Sequence, residues 1–297
     1  MKKLINLTAR NIKVYFSDKS MFITSLVTPL VLLVLYATFL GVVFEENFTS
    51  AIPAGINVSN KIIKSLVSGE VLASLLSLSC ITVAFTSNSL MVCDKVNGVN
   101  KDLDISPLRN GTKSLAYFLA SFISTNLVNI VALLLCLLYT YSQGWYYTIN
   151  DVLLLLGDVA LLSLFGCSLS SVVNFNLKSQ GQLTAVNTIV SGGYGFISGA
   201  YMPISTFNET LQKVLKYLPS TYATSLVKNH ALSASLNELS NNNVPSEVID
   251  SIKELLDCSI MVNENIISTG QMYLIVGISI VVLIVIFLLQ NKFKRKH

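Results

Sequence analysis

Charge is scarce in this chain. Asp, Glu, Lys and Arg make up 12% of its 297 residues and hydrophobic residues 52%, whereas an ordinary soluble domain is about one-quarter charged. That is too little charge to solvate two globular domains of about 150 residues each. Material for acid–base chemistry is equally short. The two histidines, His230 and His297, stand outside any His-Glu-x-x-His pattern, and Asp158 is the only acidic residue inside a long apolar block. Intramembrane enzymes and ion-coupled pumps keep ionisable groups at depth, so both classes are disfavoured, and Asp158 is expected to be solvated or bonded to its own helix. Cys80, Cys93, Cys136, Cys167 and Cys258 form no Cys-x-x-Cys pair, which predicts neither a disulfide nor a zinc site. No Gly-x-x-x-x-Gly-Lys-Ser/Thr loop occurs, so the chain is not expected to hydrolyse ATP. The net charge of +4 is small and its basic residues flank apolar blocks, so no nucleic-acid partner is expected.

What the chain has instead is six apolar blocks, at 21–44, 71–92, 115–141, 152–173, 183–201 and 272–289. Each is long enough to cross ~30 Å of hydrocarbon at about 1.5 Å per residue. They predict an all-α integral membrane protein with one domain over 1–297: an interfacial helix at 1–20, five spans within 21–201, an external segment at 202–270, and a sixth span with a basic tail at 271–297. An even number of spans places both termini on one side, and the Lys and Arg residues say which. The termini and the loops after the second and fourth blocks carry Lys2, Lys3, Arg10, Lys13, Lys19, Lys95, Lys101, Arg109, Lys113, Lys178, Lys292, Lys294, Arg295 and Lys296, fourteen of the 20. The other loops hold Lys61, Lys64, Lys213, Lys216, Lys228 and Lys253. Both termini are therefore expected in the cytoplasm, at a plasma membrane.

The first twenty residues are too polar for the core of a signal peptide. Ile5, Ala9, Ile12 and Phe16 share one helical face, with Leu7 and Val14 on the other side; an amphipathic helix docked at the interface and a plain topogenic tail both fit. In the segment 202–270, Thr206 and Glu209 have capping-box spacing, and Phe207, Leu211, Val214 and Leu218 then form an apolar face that ends at Pro219. A second helix is predicted from Tyr222 to Leu232 and a third after Asn243, where Ile249, Ile252 and Leu256 share a face. We expect the first two to lie in or dip into the outer leaflet and an acidic helical hairpin to follow outside.

Two patterns inside the apolar blocks stand out. Ser79, Thr82, Thr86 and Ser89 form a hydroxyl stripe on the second span, suited either to lining a path for amphiphilic cargo or to bonding the helix's own carbonyls. Ser191, Gly195 and Gly199 recur every four residues on the fifth, a flat face that admits close approach of another helix, from this chain or from a second copy. Asn126 and Asn129 read as interhelical hydrogen bonders.

The cytoplasmic run from Asp94 to Arg109, DKVNGVNKDLDISPLR, resembles the hallmark loop of type-2 ABC-exporter permeases. That family has an acidic residue ending the second span, a glycine soon after, and a Ser-Pro-Leu-Arg-like turn into the third. Gly199-Ala200-Tyr201-Met202-Pro203, then Leu211-Gln212 and Leu218-Pro219, is similar to the family's passage after its fifth span. The resemblance implies six spans with an N-terminal interfacial helix, a cytoplasmic coupling helix and external helices between spans five and six. It implies ATPase contact at Asp94, Lys95, Gly98, Lys101, Asp102, Ser106, Pro107 and Arg109. The implied partners are two ABC ATPase subunits, which bind the ATP and Mg, together with a second permease copy or a related permease, and membrane lipid. The chain itself would bind no cofactor. The implied cargo is a drug, antimicrobial peptide, lipid or lipid-linked glycan. Two departures bear on it: Asp94 stands where Glu is common, and the segment after His230 is longer than in the shortest relatives. From another class, a membrane sensor or immunity protein that binds an amphiphile without transport also fits the composition.

The charge distribution makes a topological prediction. Cysteines introduced at Lys64 and Lys253 should react with an impermeant thiol reagent in intact cells, and cysteines at Lys101 and Lys292 only after lysis. Labelling at position 101 from outside would invert the map.

Overall fold

The structure, a computed structural model, describes all residues except 36–37, 39–40, 52–57, 106–107, 109, 263–264 and 294–297. It is all-α apart from one two-residue hairpin, Met261–Val262 with Asn265–Ile266. Helices α1 (Lys2–Ser17) and α2 (Lys19–Leu35) meet at a 73° bend. Asp18 makes that corner: it closes α1, and its carboxylate accepts hydrogen bonds from the Ser20 and Met21 amides that open α2, a side-chain cap on otherwise orphaned N–H groups. Then come α3 (Gly41–Ala51), α4 (Asn60–Asn88), α5 (Leu90–Val96), the short α6 (Val99–Ile105), α7 (Asn110–Gln143), α8 (Ile149–Asn176) and α9 (Gln180–Ile197). After a 3-10 turn at Ile204–Thr206 follow α10 (Glu209–Leu215), α11 (Pro219–Asn241), α12 (Ser246–Leu255) and α13 (Thr269–Phe293).

Among the described residues four helices are long and apolar enough to cross a membrane: the α4–α5 unit Asn60–Val96, then Gly111–Gln143, Ile149–Asn176 and Thr269–Phe293. The bent α1–α2 pair makes a fifth if counted as one. The chain is a multi-pass membrane protein. The predicted first block, 21–44, is interrupted by residues outside the described ones. The predicted fifth is α9, which carries Gln180, Gln182 and Asn187 and is less apolar than those four.

The core is built around α4. From Ile62 to Asn88 nearly every side chain is buried, because α2, α7, α8, α9 and α11 pack around it on all sides. Several of its polar groups are bonded to neighbouring helices, while Ser77 Oγ and Ser79 Oγ are buried without a hydrogen-bond partner among the described residues. Ser65 Oγ pairs with Ser235 Oγ at 2.7 Å, and Asn88 donates to Ser170 and Ser171. Glu70 and Lys228, each 1% exposed, form an ion pair at 2.9 Å, with Lys228 also donating to the Gly199 carbonyl at 3.0 Å. Contacts move down α4, from Ser65 to Glu70, as α11 is read backwards from Ser235 to Lys228. So α11 starts deep in the bundle at Pro219 and runs antiparallel to α4, toward the end where α4 begins.

Several local expectations change. Asn208, not Thr206, caps α10, its side chain accepting from the Leu211 amide; Thr206 donates instead to the Pro203 carbonyl. The helix expected after Asn243 is α12, which opens at Pro245–Ser246, Asn243 itself taking a positive φ of 59° ahead of it. In α1 the buried residues are Leu7, Thr8, Asn11 and Tyr15, packed toward α7, while Ile5 and Phe16 stay exposed. The helix has a protein-facing side, and the apolar stripe read from the sequence is its uncovered side. Lys228 is not a loop cation but lies in the core. Asp158 is not solvated: it is fully enclosed and bonded to other helices, accepting from Tyr273 Oη at 3.0 Å and paired with His230 Nδ1 at 2.6 Å.

A buried ion pair is weak evidence of stability, yet breaking one side strands a charge. Lys228→Met is expected to destabilise the fold by about 3–5 kcal/mol in denaturant unfolding in detergent, and Glu70→Leu combined with Lys228→Met to recover most of that loss. A double variant as unstable as the single one would show that the two residues are not coupled.

Candidate functional site

Two features at the end of the bundle that carries the chain termini bring the candidate residues together. The first is the junction of α5 and α6. Asp94 is buried near the end of α5, where its Oδ2 accepts from Tyr117 Oη at 2.6 Å and pairs with Arg10 Nη1 at 2.5 Å. The carboxylate's hydrogen bond raises the Arg10 pKa further, over the opposing cost of partial burial. α1, α5 and α7 thus meet at one charge-assisted contact. Lys95 points the other way. Its Nζ donates to the carbonyls of Asn174 at 3.1 Å and Phe175 at 2.7 Å, the C-terminal groups of α8, whose last turn has no basic residue of its own. A cation there satisfies the helix dipole.

Gly98 follows, with φ at +82° and open space around it, a conformation that side chains with a Cβ rarely adopt. It turns the chain into α6, where Lys101 and Asp102 are exposed and Ile105 is 87% exposed. The α5 end is therefore clamped on two sides, to α1 and to α8, while α6 projects from it. Ser106, Pro107 and Arg109 lie outside the described residues.

The second feature is a groove of about 680 Å³ between α2, the α4–α5 unit and α9. It divides the hydroxyl stripe of α4. Thr86 and Ser89 line the groove, whereas Ser79 and Thr82 do not. Thr82, Thr86 and Ser89 donate to the Leu78, Thr82 and Phe85 carbonyls; Ser79 Oγ is enclosed with no hydrogen-bond partner among the described residues. Facing Thr86 and Ser89 are Gln180, Thr184, Asn187, Thr188 and Ser191 of α9. Asn187 donates to Ser89 Oγ at 3.2 Å and its own Oδ1 is buried without a partner among the described residues. Among the described residues no charged side chain lines the groove. Ser191 was read from the sequence only as a packing residue, and Gln180, Thr184, Asn187 and Thr188 were missed although positions 180, 184, 187, 188 and 191 share one helical face; attention to the small residues of that helix hid its polar stripe.

The flat face of α9 is covered from within the chain. A Cβ at Gly195 would run into the Tyr201 ring, and Tyr201 Oη donates to the Ser191 carbonyl at 3.1 Å. Gly199 is past the helix, with φ at +74°, and the Ala200 amide returns to the Gly195 carbonyl at 2.9 Å, the bond of a Schellman closure. Asp257 Oδ2 accepts from the Ile204 amide beside it at 2.7 Å. Burial pushes the Asp257 carboxyl up to about 6, against the opposing pull of Lys228.

The family model described as ABC-2 type transporter matches residues 2–229. The chain belongs to the ABC-2 type transporter family. It is the membrane-embedded transport component of an ABC transporter, a family whose permeases work with ATPase partners. The match takes in α1, the α5–α6 junction and every helix that lines the groove. No curated protein matches the permease.

The clamp at Asp94 predicts a linked response. Arg10→Gln should leave a buried carboxylate without its countercharge and release α1, raising amide hydrogen exchange over residues 2–17 several-fold; adding Asp94→Asn, which removes the stranded charge, should restore much of the protection. Unchanged exchange in Arg10→Gln would mean that α1 is held by its apolar contacts alone.

Proposed function

We propose that this chain is the permease subunit of an ATP-driven exporter, moving an amphiphilic or hydrophobic substrate outward along the groove between α2, α4 and α9. The observation that carries the reading is the exposed polar face of α9. Gln180, Thr184 and Thr188 are exposed on a helix packed in an otherwise apolar bundle, and side chains rich in hydrogen-bonding groups are costly against lipid tails. A second copy of the permease, or a related one, set against this face would convert the open groove into an enclosed path with hydroxyl and amide walls. Such walls fit drugs, peptides, lipids or lipid-linked glycans that present hydrogen-bonding groups, and the absence of charge in them favours cargo whose contacting portion is neutral.

In this reading six crossings place both termini in the cytoplasm, and α1 lies at the interface with Ile5 and Phe16 toward lipid. Two ATPase subunits, which bind the ATP and Mg, dock on α6. Force applied there reaches the bundle through the α5 end, where Asp94 passes it to α1 and α7 and Lys95 to α8. A projecting helix on a clamped base acts as a lever, because it has no slack to absorb the displacement.

The test is co-expression with ABC ATPase subunits. A stable complex whose ATP hydrolysis responds to candidate cargo is expected; a chain that binds amphiphile but recruits no ATPase would favour a sensor or immunity protein. Gly98→Val, which strains the α5–α6 turn, should insert and assemble normally yet lose at least about tenfold of cargo-stimulated hydrolysis. Full stimulation in that variant would remove α6 from the coupling route.

A further inference from the structure

The threonines in the wall of the groove between α2, the α4–α5 unit and α9 are tied back to their own helices. Thr86 Oγ1 donates to the Thr82 carbonyl at 2.9 Å, Thr184 Oγ1 to the Gln180 carbonyl at 3.1 Å and Thr188 Oγ1 to the Thr184 carbonyl at 2.9 Å. Each spends its one hydroxyl proton on the backbone and shows the groove only the lone pairs of its oxygen. Thr184 and Thr188 are exposed and Thr86 is partly so, which leaves these oxygens within reach of an occupant. Ser89, buried behind them, is used twice: it donates to the Phe85 carbonyl at 2.9 Å and accepts from Asn187 Nδ2 at 3.2 Å. Asn187 Oδ1, enclosed in the same wall, has no donor among the described residues. The wall as built already holds one acceptor in excess.

The other polar groups do not reverse that balance. Ser20, Thr24 and Ser191 also line the groove, and a hydroxyl with a free proton donates or accepts as its neighbour requires. Donation alone is left to the amide nitrogens of Gln180 and Asn187, and no Lys or Arg lines the groove among the described residues. An occupant that carries O–H or N–H groups therefore gains a bond at each tied threonine. One that offers only oxygen lone pairs must first draw the proton from a helix carbonyl, exchanging one bond for another with no net gain. Phosphodiester and ester oxygens are of the second kind, so the wall discriminates against the headgroup oxygens of the bilayer in which it is set. Met21 and Leu183 line the same groove and give an apolar tail its contact.

We propose that the groove selects amphiphiles whose head groups are rich in O–H or N–H donors and carry no negative charge. The inference rests on the groove being the cargo path, as proposed above, and narrows the cargo that path takes. Sugar-like and peptide-like heads fit the walls, and phosphate heads do not.

Cys93 lines the groove and is partly exposed, whereas Cys80, Cys136, Cys167 and Cys258 are buried, so alkylation of Cys93 reports occupancy. The full-length chain in lipid nanodiscs is treated with N-ethylmaleimide, and the adduct is located by peptide mass spectrometry. Three competitors are compared, each below its micelle concentration: dodecyl glucoside, the same glucoside with its hydroxyls methylated, and dodecyl phosphate. Dodecyl glucoside should protect Cys93 at a concentration about tenfold lower than either of the others, the difference that one or two net hydrogen bonds supply. Thr184→Val with Thr188→Val keeps the shape of both side chains and removes both oxygens. It should weaken protection by dodecyl glucoside about thirtyfold, at about 1 kcal/mol for each bond, and leave protection by the methylated glucoside unchanged. Equal protection by the glucoside and its methylated form, equal protection by dodecyl phosphate, or an undiminished effect in the valine variant would each overturn the donor preference while leaving the groove a path for amphiphiles. Protection by none of the three would overturn the path and the preference together.

Discussion

A membrane helix with no side toward lipid sets the terms for the rest of this molecule. α4 is enclosed along its buried length, so each hydroxyl, amide and carboxylate on it needs a partner from its own backbone or from a helix beside it. Ser65, Glu70 and Asn88 find theirs on α11 and α8. This requirement explains why a helix as polar as α11 is tolerated inside the bundle: Ser235 and Lys228 face groups on α4 and on the turn after α9 that would otherwise be orphans. The apolar residues supply the bulk of the burial, and the polar pairs fix which helix sits against which, at what height.

The end of the bundle that holds the termini works by a different rule. There the α4–α5 unit leaves the enclosed core, and its last residues are fastened by charge: Asp94 to Arg10 and Tyr117, Lys95 to the closing carbonyls of α8. These bonds reach three other helices from two adjacent residues. Opposed directions of the two side chains make the segment rigid against tilting either way, which a single apolar contact would not do. Beside it, the groove between α2, α4 and α9 presents hydroxyl and amide groups and, among the described residues, no charged side chain.

Helix positions were largely legible in the sequence, because a run of apolar residues of spanning length leaves few other structures open to the backbone. The positions of α7, α8 and α13 follow from that rule. Partnerships were not legible. Glu70 and Lys228 come from segments far apart in the chain, and the Asp158–His230 pair is separated by 72 residues, so no local periodicity signals either. Asp94 was singled out, but its partner Arg10 looked like one more topogenic cation. α1 was misread for a related reason: a helix that touches protein on one side and lipid on the other shows two competent faces, and a single-stripe reading picks the more apolar one. The α9 polar stripe was visible in its spacing, but the small residues Ser191, Gly195 and Gly199 on the same helix were read first as a packing face.

The closure after α9 has a mechanical consequence. Its outer end is pinned three ways: the Ala200 amide returns to Gly195, Tyr201 folds onto the helix face, and Lys228 holds the Gly199 carbonyl. Its other end is held more lightly: Cys93 Sγ donates to Gln180 Oε1 at 3.9 Å, Asn187 donates to Ser89 at 3.2 Å, and the link 177–179 joins it to α8. A rod fastened firmly at one tip and lightly at the other tilts about the firm tip, so the wall of the groove near Gln180 has more freedom to shift than the wall near Ser191.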